Sequence, residues 1–253
     1  MMIPLSVVIV CRNEETDIGR CISSVKDLTD DIVVLDNGST DRTKEIVVKS
    51  GARLIEAEWE GFGKTKGKAT ALAKYDWVLN LDADENPDDE LKSSIRSLGF
   101  QNPLEVFEIC FKNFFGARYL RFGEWGGDKH IRLFNRQQVQ WNTANVHEGL
   151  RFPAGVIITR LKGYILHYTV KTKEEFAAKM LKYGTLTAEK YAEMGKRSSW
   201  LRVRISPVFS FVKNYFFKLG FLDGEAGLIC ARMNSYYTRV KYARLLELNR
   251  QNE

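Results

Sequence analysis

Trp77-Val78-Leu79-Asn80-Leu81-Asp82-Ala83-Asp84-Glu85 is an apolar run that turns abruptly acidic. A run this short, bounded by charge, reads as a strand buried on both faces. The same pattern recurs upstream at Leu5–Cys11, 32–36 and 53–57. Between these runs lie segments with helical patterning, at 16–26, 41–49, 64–74 and 88–98. Strands that alternate with helices predict an α/β fold whose sheet is covered on both faces. Polar turns follow the runs at 12–15, 37–41 and 83–87. Ligands of open α/β sheets bind beyond the carboxyl ends of the strands, so three acidic turns are expected on one rim.

Beyond residue 100 the pattern changes. Apolar stretches at 107–111, 131–135, 156–159 and 163–167, with Gly and Asn between them, predict an antiparallel or mixed second half where an acceptor would lie. From Thr172 the chain reads as helical, opened by the capping-box pattern Thr172-Lys173-Glu174-Glu175. The expected organisation is a catalytic domain over 1–170, with a nucleotide half (1–100) and an acceptor half (101–170), and a helical extension over 171–253. No internal repeat or low-complexity tract interrupts it.

With 253 residues, 44% of them hydrophobic and 28% charged, the chain is neither disordered nor fibrous. Its four cysteines, Cys11, Cys21, Cys110 and Cys230, form no CxxC pair, which argues against a zinc ribbon or disulfide scaffold and fits a reducing compartment. No run approaches the roughly 20 apolar residues of a membrane span, and no positive charge precedes Leu5–Cys11 as in a secretory signal. A cytoplasmic protein is expected. The net charge of +6 is uneven: residues 171–253 carry +8 and the remainder −2. That asymmetry predicts an anionic surface as partner.

Two carboxylates two residues apart at a strand end, Asp82 and Asp84, can share one hard cation; the alternative is a solvated turn that caps the next helix. Asp36, before Asn37-Gly38-Ser39-Thr40-Asp41, either caps its turn or hydrogen-bonds a base or ribose. Gly63-Lys64-Thr65 lacks the glycine five residues upstream that a phosphate-binding P-loop requires, since Glu58 stands there. An ATPase is excluded on that ground. Lys64, Lys66 and Lys68 either face a diphosphate or belong to a solvated helix start.

Four blocks, Ser6–Glu15, Val34–Asp41, Gly61–Lys66 and Trp77–Glu85, resemble family 2 glycosyltransferases of the GT-A fold. Arg132-Leu133-Phe134, Val146-His147-Glu148 and Gly220-Phe221-Leu222-Asp223-Gly224 are similar to the lipopolysaccharide-core β-1,4-glucosyltransferase branch. The resemblance implies a GT-A α/β fold, with a mixed, mainly parallel sheet flanked by helices and a C-terminal helical extension. It implies a nucleotide-sugar donor, usually a UDP-sugar, a Mg²⁺ or Mn²⁺ cofactor, and inversion at the anomeric carbon. By motif match Glu14 and Asp36 contact the nucleoside, Asp82 lies near the ribose, Lys66 near the nucleotide, and Asp84 ligates the metal; Cys11 and Asn13 are counted with the nucleotide-sugar site. His167 either joins the metal or diphosphate or is a satisfied core residue. Gly67 departs from the polar residue expected in this branch.

The acceptor hydroxyl needs a base within hydrogen-bond reach. In similar family 2 enzymes an acidic residue here acts as base, which gives Glu148 that role, with His147 orienting it or touching phosphate; a strand-edge pair without chemistry is the alternative. Asp128 is the reserve base or a turn residue. Arg132 either faces an anionic acceptor or sits in a buried ion pair. The stretch 196–220 holds six Lys/Arg, no acidic residue, and Trp200, Phe209, Phe211, Tyr215, Phe216 and Phe217. A helix starting at Pro207 would gather Val208, Phe211, Val212, Tyr215 and Leu219 on one face, an interfacial pattern for an anionic membrane. Helix packing and a dimer contact are the alternatives. Aromatics on a basic platform also stack nucleic-acid bases, but no nucleic-acid motif accompanies them. The expected activity is sugar transfer to a membrane-associated glycan, glycolipid or lipopolysaccharide-core acceptor by a peripheral protein on the inner face of the cytoplasmic membrane. A polyprenyl-phosphate sugar transferase is the alternative, and a non-catalytic nucleotide- or nucleic-acid-binding module the third reading.

Overall fold

The computed structural model describes residues 3–142 and 149–251, with Phe62 by its backbone alone. Its elements run β1 (Leu5–Cys11), α1 (Ile18–Val25), β2 (Asp31–Asp36), α2 (Thr43–Lys49), β3 (Arg53–Glu56), α3 (Phe62–Ala71), β4 (Trp77–Asp82), β5 (Glu85–Pro87) and α4 (Asp89–Arg96). β6 (Glu105–Phe115), β7 (Arg118–Tyr119), β8 (Lys129–Asn135), β9 (Gln140–Trp141), β10 (Leu150–Arg151) and β11 (Ile157–Val170) follow. The last three helices are α5 (Lys173–Glu193), α6 (Trp200–Val212) and α7 (Gly224–Gln251). The chain divides into two compact units, Met1–Phe111 with Lys129–His167, and Lys112–Asp128 with Tyr168–Glu253.

Among the described residues nine strands form one mixed sheet, in the order β3-β2-β1-β4-β8-β6-β11-β5 with β7 paired to β6. The first four strands are parallel, and the pairs β4–β8 and β6–β8 are antiparallel. This is the expected GT-A class of α/β fold. Because side chains alternate along a strand, β1 serves two cores. Val7 and Ile9 join Ile18 and Ile22 of α1, Val47 of α2 and Leu91 of α4 on one face. Val8 joins Val33, Leu35 and Ala69 of α3 on the other. Each fully buried aliphatic side chain contributes about 1.5–3 kcal/mol, so a continuous apolar β1 is stable only between two helical layers.

The parallel ladders fix where the chemistry sits. Cys11 pairs with Asp36, and Val10 pairs with Asp82, so the carboxyl ends of β1, β2 and β4 share one edge.

The stretches 156–159 and 163–167 are one strand, β11, rather than two. Gly163, at φ +91, bends the chain without ending it. A Cβ there would collide with the Leu91 backbone. The close approach lets the Asp88 side chain accept from both Leu91 N (2.9 Å) and Tyr164 N (3.0 Å), which caps α4 and anchors β11 together.

The second unit has its own core, built from Leu120, Val170, Phe176, Ala226, Ile229 and Cys230. Burial and the nearby Asp223 charge push the Cys230 thiol up to about 12, so it packs as a small hydrophobe. The Thr172 cap forms, accepting from Glu175 N at 3.1 Å, while the Glu175 side chain reaches one residue past the cap and accepts from Lys171 N at 2.7 Å. Asp223 accepts from the backbone N–H groups of Arg121 (3.0 Å) and Phe122 (2.9 Å), which gives the Gly220–Gly224 motif a structural task.

Pro207 does not start a helix. It lies inside α6, whose N-cap is Ser199, with its side chain accepting from Arg202 N. The cap residue, eight positions earlier, sets the start; Pro207 is accommodated within the helix, and its carbonyl accepts from the Ser235 hydroxyl at 2.8 Å.

Candidate functional site

Three turns leave the carboxyl edge of the parallel strands. The turn after β2 is closed on itself. Asp36 is fully buried, and one of its oxygens accepts from Gly38 N (3.0 Å) and Ser39 N (2.9 Å). Its other oxygen accepts from the Ser39 hydroxyl and from the Cys11 thiol at 3.7 Å. Burial first, then the Asp36 charge, raises the Cys11 thiol far above its ordinary range. The turn after β1 is tied to this one. Asn13, at φ 56, donates from its backbone to Ser39 Oγ (2.8 Å) and accepts from Thr40 N (2.8 Å). Glu14 N donates to Thr43 Oγ1 at 2.8 Å.

The turn after β4 is organised by side chains from elsewhere in the fold. Asp82 lies 3.1 Å from Lys66 Nζ of α3 through one oxygen and 3.2 Å from Arg132 Nη2 of β8 through the other. Burial alone would raise this carboxyl, but the two cations outweigh it and hold Asp82 far below the carboxylate range. Glu85 is 0% exposed; it accepts from Asp82 N at 3.0 Å and is paired with Arg132. Burial raises the Glu85 carboxyl, against the pull of Arg132 and with the push of Asp82. Asp84 points to a different partner, His167 of β11, with Oδ2 to Nε2 at 3.3 Å and both side chains about a fifth exposed, at 20% and 21%. Burial would lower the imidazole, but the hydrogen bond and charge of Asp84, then Glu85 and Asp82, raise it.

The structure thus brings Lys66, Asp82, Asp84, Arg132 and His167 together, and holds Cys11, Asn13 and Asp36 at the same strand edge. Of the two readings of Arg132, the buried ion pair is present. Asp128 belongs to the second unit, where it accepts from Asn113 Nδ2 at 3.2 Å. His147 and Glu148 lie outside the described residues.

Two residues escaped the sequence reading. The sequence marks Glu85 only as a third acid beside two others. Trp141 of β9 lies under Lys66, with Nζ 5.2 Å from the ring centroid, and opposite Gly67. Trp141 Nε1 and Thr65 Oγ1 are buried without a hydrogen-bond partner among the described residues. Among those residues, no group of three or more His, Cys, Asp or Glu side chains gathers to hold a metal.

The sequence model of glycosyl transferase family 2 matches residues 6–147, more than half of the chain. The chain belongs to glycosyltransferase family 2. It is 30% identical to an uncharacterized glycosyltransferase of Rickettsia typhi, over 97% of this chain and 87% of that protein. It is 27% identical to the lipopolysaccharide core biosynthesis glycosyltransferase LpsC of Rhizobium meliloti, over 97% of this chain and 93% of that one. Among solved structures, glucosyl-3-phosphoglycerate synthase of Mycobacterium tuberculosis, with Mn²⁺, UDP and glucosyl-3-phosphoglycerate, is 28% identical at a TM-score of 0.35. That match spans 45% of this chain and 44% of the synthase, too partial a likeness to bear on the site.

Proposed function

We propose that this family 2 glycosyltransferase moves a hexose from a UDP-sugar to a hydroxyl of a membrane-associated glycan of the lipopolysaccharide-core kind, with inversion. The observation that carries the reading is the division of labour in the turn after β4. Asp82 is held ionised by Lys66 and Arg132, whereas Asp84 is set apart with His167. LpsC, a relative along nearly the whole chain, is named for lipopolysaccharide core biosynthesis, which supports the acceptor class.

Asp84 and His167 offer one carboxylate oxygen and one imidazole nitrogen, donors that suit Mn²⁺ and, through the carboxylate, Mg²⁺. Two protein ligands fit an ion whose remaining positions go to diphosphate and water. Bound there, the ion would supply positive charge opposite the departing diphosphate. Asp82, acceptor-only while ionised, would receive the ribose hydroxyls. Trp141 Nε1 and Thr65 Oγ1 would donate to polar groups of the donor, and Lys66 would add charge near the nucleotide. Glu148 would take the proton of the acceptor hydroxyl as that oxygen bonds to the anomeric carbon and the bond to the phosphate oxygen breaks. A single displacement of this kind turns an α-linked donor into a β-glycoside.

On this reading the enzyme works at the inner face of the cytoplasmic membrane. No helix among the described residues is long and apolar enough to cross a membrane. A screen of nucleotide-sugars for Mn²⁺-dependent hydrolysis and for protection against heat tests the donor, with one sugar expected to stand out. The base is tested by Glu148→Gln, which should lower transfer to a glycan hydroxyl by about 10²–10⁴. Full turnover by that variant onto a polyprenyl phosphate, an acceptor already ionised, would replace this reading with lipid-phosphate transfer.

A further inference from the structure

Helix α6 is built inside out. Its inner side presents Pro207 and Ser210 to α7: the Ser210 hydroxyl donates to Asn234 O at 3.3 Å, and Pro207 O accepts from Ser235. Its large apolar side chains point the other way. Leu201, Ile205, Val208, Phe209, Phe216 and Phe217 are each between 52% and 76% exposed. At 100° per residue, Leu201, Ile205, Val208 and Phe209 share one stripe, with Arg202 on one flank and Arg204 on the other.

Phe217 joins Phe216 on the outer side because the helix ends in a π-turn over Lys213–Phe217, closed by Lys218 N donating to Lys213 O at 2.8 Å. One extra residue in the turn sets the following side chains back by about 100°. Phe217, which falls on the polar side of a regular helix, therefore faces out with the others. Arg202, Arg204 and Lys213 are exposed and make no ion pair among the described residues. The sequence 196–222 contains no acid.

We propose that the outer face of α6 and its π-turn docks on an anionic lipid bilayer, with the aliphatic and phenyl side chains in the acyl boundary and Arg202, Arg204 and Lys213 at the phosphates. A stripe of large apolar groups between cations is the surface an anionic headgroup layer complements. The inference concerns a surface of the second unit and stands apart from the assignment of the reaction.

Cosedimentation of the full chain with phosphatidylcholine vesicles, with and without phosphatidylglycerol, tests it. Binding to the anionic vesicles is expected, together with quenching by brominated lipid that falls in Trp200→Phe. Replacing Arg202, Arg204 and Lys213 by Gln should weaken that binding by on the order of a hundredfold, since each basic residue near the surface is worth roughly a factor of five. Ile205→Asp with Phe209→Asp should abolish it while leaving the melting temperature in place, because both side chains are already exposed. No binding by the unaltered protein, or full binding by the double variant, would overturn the proposal. So would a dimer in sedimentation velocity that the double variant dissociates, without vesicle binding, which would make the face a contact between two copies.

Discussion

The turns after β2 and β4 stand at one sheet edge, and both begin with an aspartate on the last residue of a parallel strand, yet they spend their carboxylates differently. Asp36 satisfies its own loop, with acceptor bonds to Gly38, Ser39 and Cys11. Asp82 and Glu85 meet cations from α3 and β8, and Asp84 meets an imidazole from β11. A carboxylate used up by its own turn shapes the floor of a site. One balanced by distant side chains keeps its charge and a fixed direction, and can exchange a partner for a ligand. The difference lies in the third dimension: Arg132 follows Asp82 by 50 residues.

Four substitutions put this contrast to the test. The largest effect is expected from Arg132→Met. It strands the fully buried Glu85 and removes one of the two cations on Asp82, and urea denaturation should show a loss of about 3–5 kcal/mol. A loss below about 1 kcal/mol would mean that the pair does not organise the turn. Next comes Asp84→Asn, which should lower turnover by about 10²–10³ and leave unfolding within about 0.5 kcal/mol of the parent.

Asp36→Asn should act in the opposite sense. It forfeits acceptor bonds from Ser39 and Cys11, so stability falls by about 1–3 kcal/mol, with UDP affinity following only as far as the loop loosens. Loss of UDP binding at unchanged stability would put this carboxylate on the ligand and erase the contrast. Smallest is Ser39→Ala, about 1 kcal/mol, read by the same denaturation. Combined with Asp36→Asn it should cost less than the two single losses added, because both remove the Ser39–Asp36 bond.

Much of the first unit was legible. Continuous apolar runs gave β1 to β4, and helical periodicity gave α1 to α4 with ends displaced by at most three residues, as in α1, expected from residue 16 and found from Ile18. The convergence of the acidic turns followed from parallel strands alone. The fate of each acid did not follow, because Asp36 and Asp82 look alike until their neighbours are known. Gly163 resembled a break between strands, although its positive φ only bends β11. In the tail, composition revealed a basic aromatic helix but not its phase. The Ser199 cap and the π-turn at Lys213–Phe217 decide which side chains face out, and both are visible only in the folded chain.

On the function proposed, Asp84 and His167 would together hold a divalent ion that offsets the charge of the donor diphosphate. Titration calorimetry of UDP with and without Mn²⁺, on the parent chain and on Asp84→Asn, tests it most directly. UDP binding is expected to strengthen with Mn²⁺ in the parent and to lose that dependence in the variant, with melting temperatures matched. The same Mn²⁺ dependence in both proteins would contradict it.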